Sequence, residues 1–466
     1  MIEGEYPVPS AGALADEVAA VLAGRRSPGV VAYERLLGAV VVHAYRDREA
    51  LTAALGSVSR EFAVRPDRQV ACLAGIVGAA VEPVRAGESW EDAGSGWLEL
   101  CQHVALDYIE GARVGELRAR LRVGGPVPFP LSVPSGPTGA LEPSQLVGRL
   151  AEYARLGVRP GPADLGLALL RCGGPVDGEA VRAAEQLDLA EGPRVADWLR
   201  QGGLPQPAAW REQESGAPER PSRRRGARVG RRILVGHEAI DGRGAFPRPF
   251  WSLFRKFEPA IGCPHMSLAD FRDAHTVATL PWHPEIAAAR LLTGVASAAD
   301  QDGGRGAPAF LEALAAADGP AGPAVHLAVA YGLASAPPED REAAVRALLL
   351  LAARGRLDGD LLGRELAELV GLGTLKAALV TESLGVAAAA PQGAAPVWAV
   401  ISSALPGLLA CTKPQAHGAL LAVAADAARL SGARGALPEV TVLAQRPGSS
   451  RLLREARRLH DALAGT

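Results

Sequence analysis

Residues 337–355 read PPEDREAAVRALLLLAARG, and the fold turns on this stretch. Ala344, Leu348 and Leu351 stand at i, i+4 and i+7, with Val345, Leu349 and Ala352 beside them, so a helix here carries one wide apolar stripe. Pro337 and Pro338 open it, and Glu339 and Asp340 suit its positive N-terminal end. Arg354-Gly355 supplies a basic last turn and a residue able to take the left-handed cap. Asp358 then caps a second helix, through about Val370. Gly371 and Gly373 end that helix before a third begins near Leu375.

Working outward, helix openings near Ala321, Asp358 and Ala394 recur roughly every 36–37 residues, and those near Glu339, Thr374 and Pro414 roughly every 35–40. That period suits a two-helix repeat of the HEAT, armadillo or tetratricopeptide kind, although the tetratricopeptide consensus is missing. A last helix, from about Ser449 to Leu463, carries Arg451, Arg454, Arg457 and Arg458 on its outer faces and reads as a terminal cap. Toward the N-terminus the pattern is less regular, with helices expected at 12–23, 29–45, 68–82, 97–111, 142–156, 162–171, 177–189 and 193–201. Five prolines between Gly124 and Pro137 make that segment a loop, because proline removes a backbone donor and clashes inside a helix.

Composition agrees. Of 466 residues 48% are apolar but only 5% aromatic, so Ala, Leu and Val dominate, a mixture that favours closely approaching helices over sheet. The expected fold class is all-α: α-solenoid-like stacks of antiparallel helix pairs, armadillo- or HEAT-like, in two blocks. We place an N-terminal helical domain at 1–203, a basic linker rich in Pro, Gly and Arg at 204–266 that ends in an aromatic segment, and a C-terminal helical-repeat domain at 267–466.

The setting expected is cytoplasmic. Five cysteines, odd in number and without a Cys-x-x-Cys pair, read as reduced thiols. Glu3, Glu5, Pro7 and Pro9 stand where a signal peptide needs a basic and then an apolar region. No charge occurs from Ser383 to Thr412, but Pro391, Pro396 and Pro406 interrupt the run, which reads as two buried helices joined near Pro391 and not as a membrane span.

The linker concentrates charge. Eleven basic residues fall within 220–256, among them Arg220, Arg223, Arg224, Arg225, Arg228, Arg231 and Arg232, against Glu238 and Asp241. The net charge is −2 overall, so the remainder of the chain is acidic. Such a strip is drawn to anions: the protein's own body, the acidic face of a partner protein, or nucleic acid. Four of the eight phenylalanines follow, with Phe250, Phe254 and Phe257 at i, i+4 and i+7 of an expected short helix beside Trp251. Packed on the C-terminal stack they are core; exposed, they would anchor a partner or stack bases.

The search for catalysis is negative. None of the three lysines (Lys256, Lys376, Lys413) follows a glycine, which excludes a Walker A loop, and there is neither a Gly-x-Ser-x-Gly elbow nor a His-Glu-x-x-His helix. Cys263, His265, His275 and His283 are zinc-type ligands within 21 residues, but their spacing matches no established motif. Core, capping or surface roles are the plainer reading of all four. No cofactor, membrane contact or small-molecule substrate is expected.

Several strings, among them Leu146-Val147-Gly148-Arg149-Leu150-Ala151-Glu152-Tyr153, His283-Pro284-Glu285, Val397-Trp398-Ala399-Val400 and Gly448-Ser449-Ser450-Arg451-Leu452, resemble a large actinobacterial family of helical proteins without assigned activity. The resemblance covers most of the chain after about residue 100 and implies an armadillo- or HEAT-like cytoplasmic protein with no catalytic residues to carry over. The expected function is a non-enzymatic protein–protein interaction scaffold. The alternative is a nucleic-acid-associated helical-repeat protein that uses the basic strip. Arg223, Arg224, Arg225, Arg228, Arg231, Arg232, Phe250, Trp251 and Phe254 are the candidate contact residues.

Overall fold

The computed structural model describes residues 8–26, 28–61, 68–82, 84, 105–215, 231–259, 274–300, 308–410 and 417–465. Nine helices come first: α1 (Ala11–Leu22), α2 (Val30–Arg46), α3 (Arg48–Glu61), α4 (Arg68–Val81), α5 (Ala105–Arg122), α6 (Pro143–Arg155), α7 (Pro162–Arg171), α8 (Gly178–Glu185) and α9 (Gly192–Arg200). Two strands follow, β1 (Ala209–Ser215) and β2 (Arg231–His237). Then come α10 (Ala274–Ala278), α11 (Pro284–Asp300), α12 (Pro308–Ala316), α13 (Pro323–Leu333), α14 (Pro338–Ala353) and α15 (Gly359–Gly371). The last are α16 (Ala377–Ala389), α17 (Ala394–Ala410), α18 (His417–Ser431), α19 (Pro438–Ala444) and α20 (Arg451–Ala464). The all-α class is as expected.

The local signals of the C-terminal half act as the sequence reading says. Asp358 accepts the amide of Leu361 at 2.8 Å and Ser450 that of Leu453 at 3.4 Å, so each satisfies an otherwise orphaned first-turn donor. Gly355 follows α14 at φ +65°, a conformation that costs a side chain but not glycine. At the end of α15 the left-handed residue is Gly373, at φ +78°, whereas Gly371 still belongs to the helix. The uncharged run forms α16 and α17 on either side of Pro391, and no described helix is long and apolar enough to cross a membrane.

From α10 to α18 every helix but α17 packs on the second one along, and the short α19 packs on α20. One row runs α10, α12, α14, α16, α18, α20, and the other runs α11, α13, α15, α17. The rows meet through α13 with α14, α16 with α17 and α17 with α18. This follows from the apolar stripes: a helix with one wide apolar face buries part of it against its partner and the rest against the equivalent helix of the next pair. The contact residues are fully buried, among them Ala344, Leu348 and Leu351 of α14 and Leu362, Leu366 and Leu369 of α15.

Two expectations for the first half need correction. The helix placed at 97–111 runs on to Arg122 as α5, eleven residues past its expected end, and residues 97–104 lie outside the described set. No helix was expected at 48–61, where α3 stands; its opening signal is Asp47, whose carboxylate accepts the amide of Ala50 at 2.9 Å.

Within the linker at 204–266, the part from Leu204 to Arg228 is expected to be flexible, and that expectation is corrected where it is described, at 204–215. Ala209–Ser215 and Arg231–His237 form an antiparallel pair in the register Ala209 with His237 to Ser215 with Arg231. The edge of β2 is not left open: Tyr331 of α13 bonds both the amide (2.9 Å) and the carbonyl (3.0 Å) of Ile233, and the Thr374 hydroxyl donates to the carbonyl of Arg231. The Ile233-Leu234-Val235 core of β2 supplies the buried surface that the Pro, Gly and Arg count of the segment hides. Buried apolar residues form one cluster from Leu14 to Leu463, and it spans both expected boundaries.

The proline-rich segment is a loop, as expected, but a buried one, with Val127, Leu131, Ser132 and Val133 at or below 4% exposure. Buried backbone needs partners. Arg149 donates to the carbonyls of Leu131 (2.7 Å) and Val133 (2.6 Å), and Arg171 to that of Ser132 (2.5 Å). Asp164 accepts the amides of Leu131 (2.6 Å) and Ser132 (3.2 Å). Behind the loop Glu34 lies between Arg113 and Arg171, 2.7 Å from each. Burial pushes the Glu34 carboxyl up, but the two guanidiniums more than offset it and hold its pKa at about 2.

Removing one member strands the others in a dry site. Glu34→Ala is expected to lose about 3–5 kcal/mol in urea unfolding, because the enclosed Arg171 then lacks a counter-charge and Arg113 keeps only the longer contacts to Asp164 and Glu110. A loss below about 1 kcal/mol would show that water or neighbouring carboxylates replace Glu34 at little cost.

Candidate functional site

Seven of the nine candidate contact residues are not free at the surface or lie outside the described residues. Arg223, Arg224, Arg225 and Arg228 fall outside. Arg232 is fully buried in β2, while Arg231 beside it is exposed. Phe250 is fully buried and Phe254 is 3% exposed, so neither presents the surface anchor of the hot-spot expectation. Trp251 is half-buried and stays at the surface.

The short helix expected through Phe250, Phe254 and Phe257 is replaced by two 3₁₀ turns, Arg243–Ala245 and Arg248–Leu253. Pro247 and Pro249 are the reason: each removes a donor, and each disfavours the helical region for the residue before it. The turn between them is held from below by rings. Phe246 stacks on Phe250 (5.6 Å between centroids), tilts against Phe254 (4.9 Å) and meets Trp198 of α9 edge-on (5.2 Å). Phe257 exchanges both backbone bonds with His237, at 3.0 and 2.8 Å, and Arg290 of α11 lies over its ring while donating to the carbonyl of Leu253 at 3.0 Å. These contacts account for the burial of all four phenylalanines at 246–257.

What remains outside is cationic. The Arg243 guanidinium lies 4.2 Å from the Trp251 ring centroid and that of Arg248 lies 5.6 Å from it. The indole N–H donates to the carbonyl of Phe246 at 2.8 Å, which fixes the ring beside that residue. Arg194 of α9 reaches the opposite element of the same cluster, 5.7 Å from the Phe246 ring. Its Nε and Nη2 are enclosed without a hydrogen-bond partner, and burial pushes its pKa down. No ion pair is made by Arg194, Arg243 or Arg248 with the described residues. Lys256 sits 4.9 Å from the Trp210 ring on the neighbouring hairpin but pairs with Glu258 at 2.9 Å.

Of the zinc-type candidates, Cys263 and His265 lie outside the described residues. His275 packs perpendicular to Tyr33 at 5.1 Å. His283 is buried, its Nδ1 is 3.0 Å from the Gln206 amide, and burial holds its pKa down to about 4. Among the described residues no group of three or more His, Cys, Asp or Glu is placed to hold a metal ion. A small apolar recess lined by Val8, Gly38, Val42, Phe129 and Pro130 is rimmed by Arg35, whose guanidinium is committed to Glu17. It offers no polar group to orient a ligand.

The hairpin carrying this turn is tied to the helix rows by Arg211 of β1, which reaches Glu365 (2.8 Å) and Glu368 (2.7 Å). Burial raises the Glu365 carboxyl to about 7, against the opposing pull of Arg211. A folded-state pKa above the unfolded value favours the protonated form, so this contribution is full below about 4.5 and is lost as pH rises through about 7. Glu365→Gln removes that dependence: its stability relative to the parent should grow by on the order of 1 kcal/mol between pH 5 and pH 8. A constant difference across that range in urea titrations would show that Glu365 ionises normally. No protein-family model, curated protein or solved structure matches this chain.

Proposed function

We propose that the chain is a non-enzymatic interaction scaffold, a solenoid-like array of armadillo- or HEAT-like helix pairs that holds a protein partner in the cytoplasm. The observation that carries this reading is the second-neighbour packing of α10 to α18, continued by α20, in two rows. An array of that kind consumes its apolar faces internally and leaves long lateral surfaces, which recognise extended partners without a cofactor. The buried charges do not supply an alternative chemistry, because Glu34, Arg113, Asp164 and Arg171 are engaged with one another and with the loop they enclose. No catalytic residue, cofactor or small-molecule substrate enters the proposal. Where the nucleic-acid alternative is concerned, Arg232 is withdrawn from the strip by its burial, and Phe250 and Phe254 have no open face for a base.

Affinity capture from the native cytoplasm tests the reading, with the intact chain compared with a variant carrying serine at Arg223, Arg224, Arg225 and Arg228. The expected result is a stoichiometric protein partner, retained by both if the helix rows hold it. Retention of DNA or RNA that falls steeply with salt and disappears in the variant would favour the alternative. Failure of any protein to co-purify above a helical control of equal charge would count against the scaffold.

A further inference from the structure

The Trp251 turn has a chemistry that packing alone does not require. Most enclosed guanidiniums in this protein are turned to carbonyls or carboxylates, as Arg149, Arg171 and Arg290 are. Arg243, Arg248 and Arg194 are turned to rings. We propose that these three guanidiniums, backed by Trp251 and Phe246, form a docking face for an acidic, carboxylate-bearing segment of a partner protein. The proposal rests on the scaffold reading and names the chemistry of one partner surface.

Three observations carry it. First, a guanidinium lying on an aromatic ring keeps its N–H edges directed outward while its face is held, so the donors that match a carboxylate are presented at reduced entropic cost. Arg243 and Arg248 share one indole, and their distances to its centroid, 4.2 and 5.6 Å, put the two guanidinium carbons no more than about 10 Å apart. Carboxylates at alternate positions of an extended chain are roughly 6–7 Å apart along its axis, within that span. Second, Arg194 is the third residue of α9, where a cation is disfavoured by the positive helix end, and its Nε and Nη2 are enclosed without partners. An anion beside its guanidinium offsets the helix-end penalty, in the same sense as Glu191 at the N-cap of α9 does. Third, the support is rigid: Phe246, Phe250 and Phe254 interlock beneath the turn, and the backbone amide of Ile240 bonds the carbonyl of Phe254 at 3.0 Å.

A polypeptide fits this face better than a nucleic acid. Single strands bind by stacking bases on open aromatic faces, and here the indole is occupied by guanidiniums while the phenylalanines are buried.

The test uses the full chain in which Arg223, Arg224, Arg225 and Arg228 are serine, so that the strip does not contribute, with a fluorescent oligoglutamate peptide at low salt. R243S/R248S is expected to weaken binding by at least about tenfold, and R194S to weaken it further, with the melting temperature of each variant kept near that of the parent. Equal peptide affinity with and without Arg243 and Arg248 would overturn the proposal. So would an oligothymidine of equal charge that depends on these arginines more strongly than the peptide does. A partner captured by the intact chain and held equally by R243S/R248S would remove this docking face while leaving the scaffold in place, whereas no captured partner at all would count against the scaffold itself.

Discussion

The structure depends on guanidinium groups placed where backbone carbonyls would otherwise be buried without a donor. Arg149 and Arg171 hold the proline-rich loop, Arg290 holds the end of the aromatic turn, and Arg48 donates to the carbonyls of Ala79, Glu82 and Leu121 at the ends of α4 and α5. Each of these carbonyls sits at a helix end or in irregular chain, where no helical partner exists. Arginine suits the task because one planar head reaches two or three acceptors at once and stays charged, whereas a lysine offers a compact charge that loses its proton when enclosed. Only three of the 49 basic residues are lysines. Whatever set that ratio, the fold makes use of it.

Helices and irregular segments are therefore stabilised by different means. Within the two rows, apolar burial is the main favourable term, and the charges at the surface, such as Arg346 with Glu312, add little. Between the rows and the first half, polar contacts join the shared apolar cluster. Glu34 is positioned by Arg113 and Arg171, and Arg171 also reaches the carbonyl of Ala278 in α10 at 3.2 Å, so one carboxylate governs how α2, α5, α7 and α10 meet. A buried pair of this kind contributes modestly compared with an apolar replacement, yet it is costly to break, which makes it a device for fixing one arrangement of the loop. The same division explains why the aromatic turn can present arginines outward: its rings and Arg290 secure it from within.

Much of the helical framework was legible because it is written in short-range signals. Pro337-Pro338, Asp358 and Gly355 each act within one turn, and the residues they bound carry a clear period, so α14 and α15 lie close to their expected positions. The two strands escaped because β1 is polar along its length and β2 owes its place to α11 and α13, far away in sequence; nothing near Arg231 announces Tyr331. The expected helix rested on the spacing of Phe250, Phe254 and Phe257 alone, and Pro247 and Pro249, though present in the sequence, did not enter it. The Glu34 cluster was not foreseen at all, since its members are separated by up to 137 residues and a lone buried Glu or Arg has no local signature. Of the site, Trp251 and the arginine bias were readable; that Arg194 belongs to it was not, because it arrives from α9 by tertiary packing.

Polar side chains hold the irregular segments as firmly as apolar packing holds the helices. Native-state hydrogen exchange read by mass spectrometry addresses it directly. Peptides covering 129–133 and 231–237 should exchange on the same timescale as α13, because the amides of Leu131, Ser132 and Ile233 are enclosed and bonded to Asp164 and Tyr331. Exchange of either peptide at the rate of an unstructured chain, with α13 still protected, would contradict it.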